Sequence, residues 1–383
     1  MKRIAVFTTT RADFGLLSAL IREMTPDNDL QPLLFVGGAH LTIETGKTIN
    51  EIKDFGFQIT ATFDYLLNSD EDSSLAKALG IATIELSEIF SRYDFDMVCI
   101  LGDRFELLAI ISNAIIFKKP VIHIHGGEKA EGSIDEQIRH MITKAAHIHF
   151  VICDEYAQNI RQMGEPEWRI FNIGALAIDN ITKLKFLTKS ELFKDLGLEE
   201  NKPTILLTYH PVTLEFNISP LKQIENIFKA LKQYDFQIVI TAPNIDKGRE
   251  IINNYIIQQA EINHNYHYTE SLGVKNYYNL LPHCLFVIGN SSSGLIEVPY
   301  FRIPAVNIGD RQKGRIRHES IIDTEYSVDS IKKGIDKATN ESFVKNLKNM
   351  NYKFGNGNAA KKIIKILRSI DINDRLMRKT LDF

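Results

Sequence analysis

The sequence has few cysteines, and their spacing excludes several classes of protein. Three are present among 383 residues, Cys99, Cys153 and Cys284, and each lies in an apolar, strand-like stretch. An odd number without CxxC spacing argues against a disulfide framework and against a structural zinc site. The cysteines are therefore predicted to be buried free thiols in a reducing cytosol.

The chain also lacks a strong charge of either sign and a long apolar run. A formal net charge of −3 leaves no electrostatic footprint for nucleic acid. The longest apolar run, 107–117, contains Ser112 and Asn113 and is too short to span a membrane. The apolar stretch that begins at Ile4 is not followed by a small-residue cleavage site, so no signal peptide is expected. We expect a cytoplasmic protein with neither a nucleic-acid nor a membrane partner.

Short apolar runs alternate with helical patterns, which is typical of parallel sheets covered by helices. A chain of 383 residues is too long for one hydrophobic core, and Pro166 and the polar stretch 182–203 suggest a linker. The sequence therefore predicts an α/β protein with two doubly wound Rossmann-like domains that face a cleft. The expected domains are 1–180 and 181–365, with a C-terminal helix or tail over 366–383 that packs on the first domain. A single (β/α)₈ barrel is the alternative, which the linker-like break disfavours.

The expected strands matter because ligands of α/β proteins bind beyond the carboxyl ends of the strands. Polar residues that directly follow an apolar run are therefore candidate site residues. The runs predicted as strands are Ile4–Thr9, Pro32–Gly37, Asp96–Gly102, Pro120–His125, Ile148–Cys153, Thr204–Thr208, Phe236–Thr241, Cys284–Ile288 and Pro304–Ile308.

The segment VIGNSSSGLIE, 287–297, places small polar residues between an apolar strand and a predicted helix. Serine hydroxyls and backbone N–H groups at a helix N-terminus can bind an anion, typically phosphate. Glu297 could accept hydrogen bonds from vicinal hydroxyls such as those of a ribose. A serine-rich N-cap without a ligand is the alternative. The segment is neither a Walker A loop nor a GxGxxG fingerprint, which disfavours P-loop and hydride-transfer chemistry.

Other predicted strand ends also carry polar side chains. Arg11 could reach a phosphate or a carboxylate, or could be a surface arginine beside a helix start. Asp103 and Arg104 follow the strand MVCIL and could be either catalytic or a loop ion pair. His210 is held in an extended conformation by the proline that follows it, and Asn244 ends the next strand.

The densest polar cluster is HIHGGEKAEGSIDEQIRH, 123–140. His123 and His125 are two residues apart on a strand and share a face, so they could chelate a metal. An HExxH motif is missing, however, which disfavours a zinc site. Ser133 and Glu136 have the spacing of a capping box and predict the start of an amphipathic helix.

Two carboxylates of this cluster are left without a structural explanation, Glu128 and Asp135. With Asp103 they make three acids expected at one edge of the sheet. Carboxylates held close together have pKa values that are driven apart, which suits one as an acid and another as a base. Arg139 lies four residues after Asp135 and could pair with it on the helix surface.

Taken together, the motifs TTTRADFG, GGAH, LGDRFE, HIHGGE, DEQIRH, YHPVT and GNSSSGLIEVP, from residue 8 to about 315, resemble those of a known family. They are similar to the hydrolysing UDP-N-acetylglucosamine 2-epimerases of the bacterial sialic-acid and capsule pathway. The resemblance implies a two-domain GT-B-like fold and the conversion of UDP-GlcNAc and water to ManNAc and UDP. The implied route is elimination to a glycal intermediate followed by its hydration. It requires no redox cofactor and no catalytic metal, and the family suggests a homodimer or homotetramer.

The resemblance also implies roles for matched positions. Asp103, Glu128 and Asp135 resemble the acid–base carboxylates, and His210 resembles the histidine on the phosphate side. Gly15 departs from the animal branch, which has a serine that touches the nucleotide there. The positions that correspond to substrate or UDP contacts are Arg11, His40, Arg104, His125, Asn244, Ser291, Ser292, Ser293, Gly294, Glu297 and Arg311.

Four rival functions share much of this pattern. A hydrolysing epimerase of a nucleotide-linked 2,4-diacetamido-trideoxyhexose, on the way to legionaminic acid, carries every motif quoted. Non-hydrolysing epimerases have an EAGLR-type segment where this chain has GGEKAEGS. A GT-B glycosyltransferase or a nucleotide-sugar binding protein would share the fold but would need no base at C2. UDP-GlcNAc is the favoured substrate, because HIHGGEK and GNSSSGLIEVP most resemble the capsule-sialate branch. Which carboxylate is the base stays open.

Overall fold

The computed structural model of the chain describes residues 1–43, 46–69 and 71–380. Strands and helices alternate along the chain, as the apolar pattern predicts. The strands are β1 (Lys2–Thr8), β2 (Leu30–Gly37), β3 (Ile59–Phe63), β4 (Met97–Leu101), β5 (Val121–Ile124), β6 (Ile148–Val151), β7 (Ile170–Asn172), β8 (Thr204–Thr208), β9 (Gln237–Thr241), β10 (Tyr266–Thr269), β11 (Val287–Gly289), β12 (Ala305–Ile308) and β13 (Ile321–Thr324). The helices are α1 (Arg11–Met24), α2 (Ile49–Asp54), α3 (Asp72–Arg92), α4 (Leu107–Ile116), α5 (Asp135–Ala145), α6 (Asp154–Gln162), α7 (Leu176–Lys183), α8 (Lys189–Leu196), α9 (Pro220–Leu231), α10 (Arg249–Ile262), α11 (Gly273–Leu280), α12 (Ser293–Ile296), α13 (Val328–Ala338), α14 (Glu341–Asn346), α15 (Ala359–Ser369) and α16 (Asp374–Met377).

The strands form two separate parallel sheets, one in each of two compact units. The strand order is β3-β2-β1-β4-β5-β6-β7 in the first unit and β10-β9-β8-β11-β12-β13 in the second. Both orders reverse direction next to the first strand, between β1 and β4 and between β8 and β11, which defines a doubly wound sheet. The predicted class of two Rossmann-like domains is confirmed, and the single-barrel alternative is wrong.

Local sequence explains why the chain forms a helix directly after β1. Thr10 is the N-cap of α1 and accepts a hydrogen bond from the Asp13 backbone N–H, while the Asp13 carboxylate accepts from the Thr10 N–H. This reciprocal capping box satisfies backbone donors that the first turn leaves free. Phe14, Leu17 and Ile21 follow at helical spacing and are buried in the core. Burial of each such side chain contributes about 1.5–3 kcal/mol.

The chain passes from one unit to the other at four places. The first unit comprises Met1–Glu128, Asp135–Lys183 and the residues from Lys353 onward, and the second comprises Lys129–Ile134 and Leu184–Tyr352. The stretch 182–203, expected to be a linker, contains helix α8, because Thr188 and Glu191 form a capping box.

The return to the first unit begins at Lys353, earlier than the expected boundary at 365. The reason is helix α15, whose buried face, with Ile363 and Leu367, belongs to the core of the first unit. Its first backbone N–H groups, from Ala359 and Ala360, donate to the buried Asp179 carboxylate at 2.9 and 3.0 Å. A side chain 180 residues away in sequence therefore caps this helix.

The three cysteines are buried and free, as predicted. In the described ranges, every helix falls short of the length and apolar character that a membrane crossing requires.

Glu165 is the centre of a buried charge cluster in the first unit. Its side chain is 0% exposed and accepts from Lys144 at 2.7 Å, from His149 at 3.2 Å and from Lys379 near the C-terminus. Burial by itself raises the pKa of Glu165, but the hydrogen bonds from His149, Lys144 and Lys379 outweigh it and lower the pKa to about 2. Burial lowers the pKa of Lys379 to about 8, against the opposing effect of Glu165. Through Lys379, the cluster connects the C-terminal segment to the rest of the first unit.

Replacement of Glu165 by Gln is expected to destabilise the protein in a pH-dependent way. A carboxylate whose folded pKa lies below its ordinary value stabilises the fold above pH about 4.3 and loses this effect as pH falls toward 2. We expect Glu165→Gln to lower the free energy of unfolding by about 3 kcal/mol at pH 7. The difference from wild type should shrink between pH 4.5 and 3, as measured by urea unfolding.

Glu167→Gln is the matched control for this prediction. Glu167 is two residues away, and its carboxylate is 69% exposed and pairs with the partly exposed Arg161. Exposed pairs contribute roughly 0–1 kcal/mol, so this variant should unfold nearly like wild type. A Glu165→Gln effect that is constant across the pH range would contradict the role assigned to the carboxylate.

Candidate active site

Three candidate residues of the first unit follow the two strands that flank its reversal point, β1 and β4. Arg11 is the first residue of α1 and is half-buried, directly beyond the end of β1. Asp103 and Arg104 lie just beyond β4, and Arg104 Nε donates to Glu106 Oε1 at 2.9 Å. The point where strand order reverses is where doubly wound folds bind ligands, so both loops occupy the expected place.

His40 belongs to a buried polar network behind the first loop. The side chain is 0% exposed, with Nε2 2.9 Å from the Thr8 hydroxyl and Nδ1 2.8 Å from the Thr48 hydroxyl. The Thr8 hydroxyl in turn donates to the Asp13 carboxylate. Burial raises the pKa of Asp13, but hydrogen bonds and charge from His40 and the threonine loop lower it overall. Both ring nitrogens of His40 thus bind threonine hydroxyls, and its predicted contact with the substrate stays a prediction.

Arg139 joins the carboxylates of the first unit. Its guanidinium, on a side chain 1% exposed, donates to the Asp103 carboxylate, to Glu136 at 3.0 Å and to the backbone carbonyl of Glu128 at 2.9 Å. The predicted pairing of Arg139 with Asp135 stays a prediction, and Arg139 also bonds Asp103 and the Glu128 carbonyl, which helical spacing does not indicate. Arg139 holds the end of β4, the turn that carries Glu128 and the first turn of α5 in one arrangement.

Glu128 is a buried carboxylate with a histidine partner. Its side chain is 3% exposed, and Oε1 lies 2.7 Å from Nδ1 of His125. His125 itself has φ +66°, a left-handed conformation that non-glycine residues adopt rarely and that is concentrated at functional sites. Gly127 has φ +76°, and a Cβ there would lie 2.3 Å from the Tyr156 carbonyl oxygen. The turn His125–Gly126–Gly127 therefore requires glycine at position 127. It gives Glu128 a fixed position.

His123 is a buried residue of β5. It is 0% exposed, and Nε2 lies 2.8 Å from the carbonyl oxygen of Gly102 at the end of β4. Burial lowers the pKa of His123 to about 3, so the ring is neutral at physiological pH. Among the described residues, no group of three or more His, Cys, Asp or Glu side chains is placed to hold a metal ion.

Between the two expected acids, the chain leaves the first unit. Residues 129–134 belong to the second unit, where the Glu131 N–H donates to the Lys313 carbonyl at 3.1 Å. Gly132 allows close approach, because a Cβ there would lie 2.5 Å from the Asp310 carbonyl oxygen. Ser133 is buried, and helix α5 begins at Asp135, one residue later than a capping box from Ser133 implies. Asp135 is thus the first helical residue and is half-buried.

The second unit has a corresponding cluster beyond β8, β9 and β11. His210 is 6% exposed and directly follows Tyr209, two residues beyond the end of β8. The backbone N–H of Asn244, beyond β9, donates to His210 Nδ1 at 3.0 Å. Asn290, beyond β11, bonds the His210 backbone through its side chain. The sequence missed Asn290, since an asparagine in a serine-rich turn has no distinguishing pattern.

Residues 290–293, called the serine loop below, lead into a short helix. Helix α12 has only four residues, Ser293–Ile296, because Pro299 prevents a continuous helix. Ser291 and Ser292 are half-buried, and the Ser293 hydroxyl lies 2.5 Å from the Tyr277 hydroxyl. The anion-binding prediction therefore depends on hydroxyls and loop N–H groups and not on a helix dipole.

Three further predicted positions lie around this loop in the second unit. Gly294 and Glu297 are buried, at the second residue of α12 and directly after its last residue. Arg311 follows β12, and its Nη1 donates to the Asn290 carbonyl at 3.3 Å. The predicted positions His210, Asn244 and Arg311 are therefore linked by hydrogen bonds that run directly or through Asn290.

Two doubly wound parallel sheets with polar side chains beyond their reversal points place the chain in the GT-B-like class of folds. A family model described as UDP-N-acetylglucosamine 2-epimerase matches residues 22–368. The chain belongs to this family, which confirms the resemblance of its motifs.

Relatives and a solved structure agree with this assignment. A Campylobacter jejuni protein named GDP/UDP-N,N'-diacetylbacillosamine 2-epimerase (hydrolyzing) is 37% identical over 100% of this chain and 99% of its own length. A Legionella pneumophila protein named UDP-N,N'-diacetylbacillosamine 2-epimerase (hydrolyzing) is 33% identical over 99% of both chains. The crystal structure of UDP-GlcNAc 2-epimerase from Neisseria meningitidis bound to UDP-GlcNAc has a TM-score of 0.81 over 96% of this chain and 99% of that one. At 19% identity, this last likeness supports the fold alone.

Replacement of Arg139 by Met is expected to destabilise the protein strongly. Loss of one partner from a buried charge pair costs about 3–5 kcal/mol, because the remaining charge stays desolvated. Urea unfolding should show a loss in this range for Arg139→Met and a smaller loss for Arg139→Lys. Arg161→Met removes a partly exposed arginine from its pair with Glu167 and is the control, with an expected effect of roughly 0–1 kcal/mol. Equal effects of Arg139→Met and Arg161→Met would contradict the bridging role.

Proposed function

We propose that the chain is a hydrolysing 2-epimerase of a nucleotide-linked 2,4-diacetamido-trideoxyhexose. The observation that carries this proposal is the pair of acids in the first unit, Asp103 and Glu128, which the buried Arg139 fastens together. Two of the relatives with more than 30% identity, the Campylobacter and Legionella proteins, carry names with this kind of substrate. These names favour the diacetamido sugar as the substrate. The sequence alone favours UDP-GlcNAc.

The reaction breaks one C–H bond and one C–O bond before water is added. A base removes the proton at C2, the C1–O bond breaks with its electron pair going to the nucleoside diphosphate, and a C1–C2 double bond forms. Water then adds at C1, and an acid returns a proton to C2 on the opposite face. The net change is nucleotide sugar plus water to the free 2-epimeric sugar plus nucleoside diphosphate.

The acids of the first unit have the surroundings that this chemistry needs. The C2 proton is weakly acidic, so the base must be desolvated and held in place. Glu128 meets both conditions, because it is 3% exposed and bonded to His125. We assign acid–base roles to Asp103, Glu128 and Asp135 together, and substrate contacts to Arg11 and Arg104 in the same unit.

The second unit has the donors that a departing diphosphate requires. Anionic leaving groups are stabilised by cations and by fixed N–H and O–H donors. His210, Arg311 and the hydroxyls of Ser291–Ser293 are such groups, and we assign them to the diphosphate. Asn244 and Glu297 are assigned to the nucleoside, with the small Gly294 allowing close approach.

We place this reaction in the biosynthesis of a nonulosonic acid, either legionaminic acid or, with UDP-GlcNAc and a ManNAc product, sialic acid for a capsule polysaccharide. Three buried free thiols fit a reducing compartment, the cytoplasm. A homodimer or homotetramer is the assembly that the family resemblance suggests.

Proton NMR in D₂O is expected to report both the substrate and the chemistry. The enzyme is incubated separately with UDP-N,N'-diacetylbacillosamine, its GDP counterpart and UDP-GlcNAc. We expect rapid release of nucleoside diphosphate from a diacetamido substrate and slower release, by at least about tenfold, from UDP-GlcNAc, because pocket contacts that differ by one polar group discriminate at this level or above. Deuterium should appear at C2 of the product.

The control for substrate choice is the same incubation without enzyme. Faster turnover of UDP-GlcNAc would replace the diacetamido sugar by UDP-GlcNAc in the proposal. A product without deuterium at C2 would rule out the elimination route, and an epimer that keeps its nucleotide would identify a non-hydrolysing enzyme.

Glu128→Gln is expected to abolish turnover while leaving UDP binding intact. The amide cannot take or return a proton, and general acid–base catalysis typically contributes 10²–10⁴-fold, so kcat should fall by roughly that factor. Calorimetry should give a Kd for UDP within about threefold of wild type, since the nucleotide is assigned to the second unit. Glu131→Gln, an exposed carboxylate three residues later, is the control and should keep full activity. Unchanged turnover of Glu128→Gln would remove this residue from the mechanism.

A further inference from the structure

Asn290 is a buried side chain that no step of the proposed reaction uses. It directly follows β11 and is 0% exposed. The backbone N–H of His210 donates to Asn290 Oδ1 at 2.7 Å, and Asn290 Nδ2 donates to the His210 carbonyl at 2.8 Å. One carboxamide therefore bonds both main-chain polar groups of His210.

These two bonds extend the sheet beyond the point where the strands end. β8 ends at Thr208, whose carbonyl accepts from the Asn290 backbone N–H at 3.2 Å. Pro211 follows His210 and offers no N–H of its own. A side-chain amide has the same donor and acceptor as a peptide group, so Asn290 continues the ladder and holds His210 in an extended conformation.

The imidazole of His210 is oriented by a separate bond. The Asn244 N–H donates to Nδ1 at 3.0 Å. A ring nitrogen that accepts has no proton, so the neutral ring carries its proton on Nε2 and presents it as a donor. Phosphate oxygens are acceptors, and this tautomer therefore suits a histidine that faces a diphosphate.

Asn290 also connects His210 to the other anion-binding groups of the second unit. Its backbone carbonyl accepts from Gln312 Nε2 at 2.8 Å and from Arg311 Nη1 at 3.3 Å. Asn290 is thus bonded to His210, Arg311 and Gln312. It also directly precedes the three serines of the serine loop.

We infer that Asn290 is a positioning residue, which fixes the His210 backbone so that its ring keeps the Nε2–H tautomer and a single direction toward the diphosphate. The identity of the diphosphate rests on the proposed function, whereas the tautomer rests on the geometry of the second unit. Asn290 acts through His210 and does not itself contact the ligand.

Nitrogen-15 NMR of the histidine side chains, without any substrate, tests the inference directly. Wild type is expected to show His210 as the Nε2–H tautomer, with the resonance identified by its loss in His210→Gln. In Asn290→Ala the ring should show a mixture of tautomers. In a parallel assay kcat/KM should fall by on the order of 10²-fold, because small misplacement of a reacting group has effects of this size.

Asn279→Ala is the matched control. Asn279 is 1% exposed and also makes two side-chain bonds to backbone, from Leu187 N–H at 2.7 Å and to the Lys275 carbonyl at 2.8 Å. Its loss should destabilise the second unit comparably and leave the His210 resonances unchanged.

Asn290→Asp is a second variant, which serves if Asn290→Ala does not fold. It keeps the acceptor for the His210 N–H and loses the donor to the His210 carbonyl, so a partial mixture of tautomers is expected. A wild-type tautomer in both Asn290 variants, or an equal change in Asn279→Ala, would overturn the inference. A wild type inactive on every sugar nucleotide would instead refute the proposed function, with the NMR result unaffected.

Discussion

The arrangement of acids in the first unit depends on the hydrogen bonds of one buried group, the guanidinium of Arg139. A charge removed from water is tolerated only when it is paired and hydrogen-bonded, and Arg139 satisfies this condition through Asp103, Glu136 and the Glu128 carbonyl. These acceptors come from three different elements. Because Asp103 and Glu128 both bond this one cation, their separation is fixed. They lie on separate loops, whose spacing could otherwise vary.

In the second unit a neutral side chain, that of Asn290, holds a loop residue beyond the strand ends. Asn290 bonds the backbone of His210, as Arg139 bonds the backbone of Glu128. In both units a buried polar side chain extends order beyond the carboxyl ends of the strands, where the ladder no longer satisfies the backbone. The strands on either side of the reversal point are short and buried, so the polar residues that follow them are held on a rigid base.

The strands that the sequence predicts are those in the middle of each sheet. The four that it misses, β3, β7, β10 and β13, are the four edges. A central strand is covered on both faces and forms a continuous apolar run, such as MVCIL. An edge strand is half-buried and mixes polar with apolar residues, such as YHYT in β10, so its pattern resembles a loop.

The sequence by itself determined the fold class, the family and the identity of the candidate acids, because strand ends and short motifs are local features. Only the tertiary structure decided how those acids are held. Arg139 bonds Asp103, which is 36 residues away in sequence, and the segment between Glu128 and Asp135 belongs to the other unit. Helical spacing predicts which side chains can meet along one helix. Helical spacing does not indicate which distant element supplies an acceptor for a buried charge. That depends on how the strands pack side by side in the sheet.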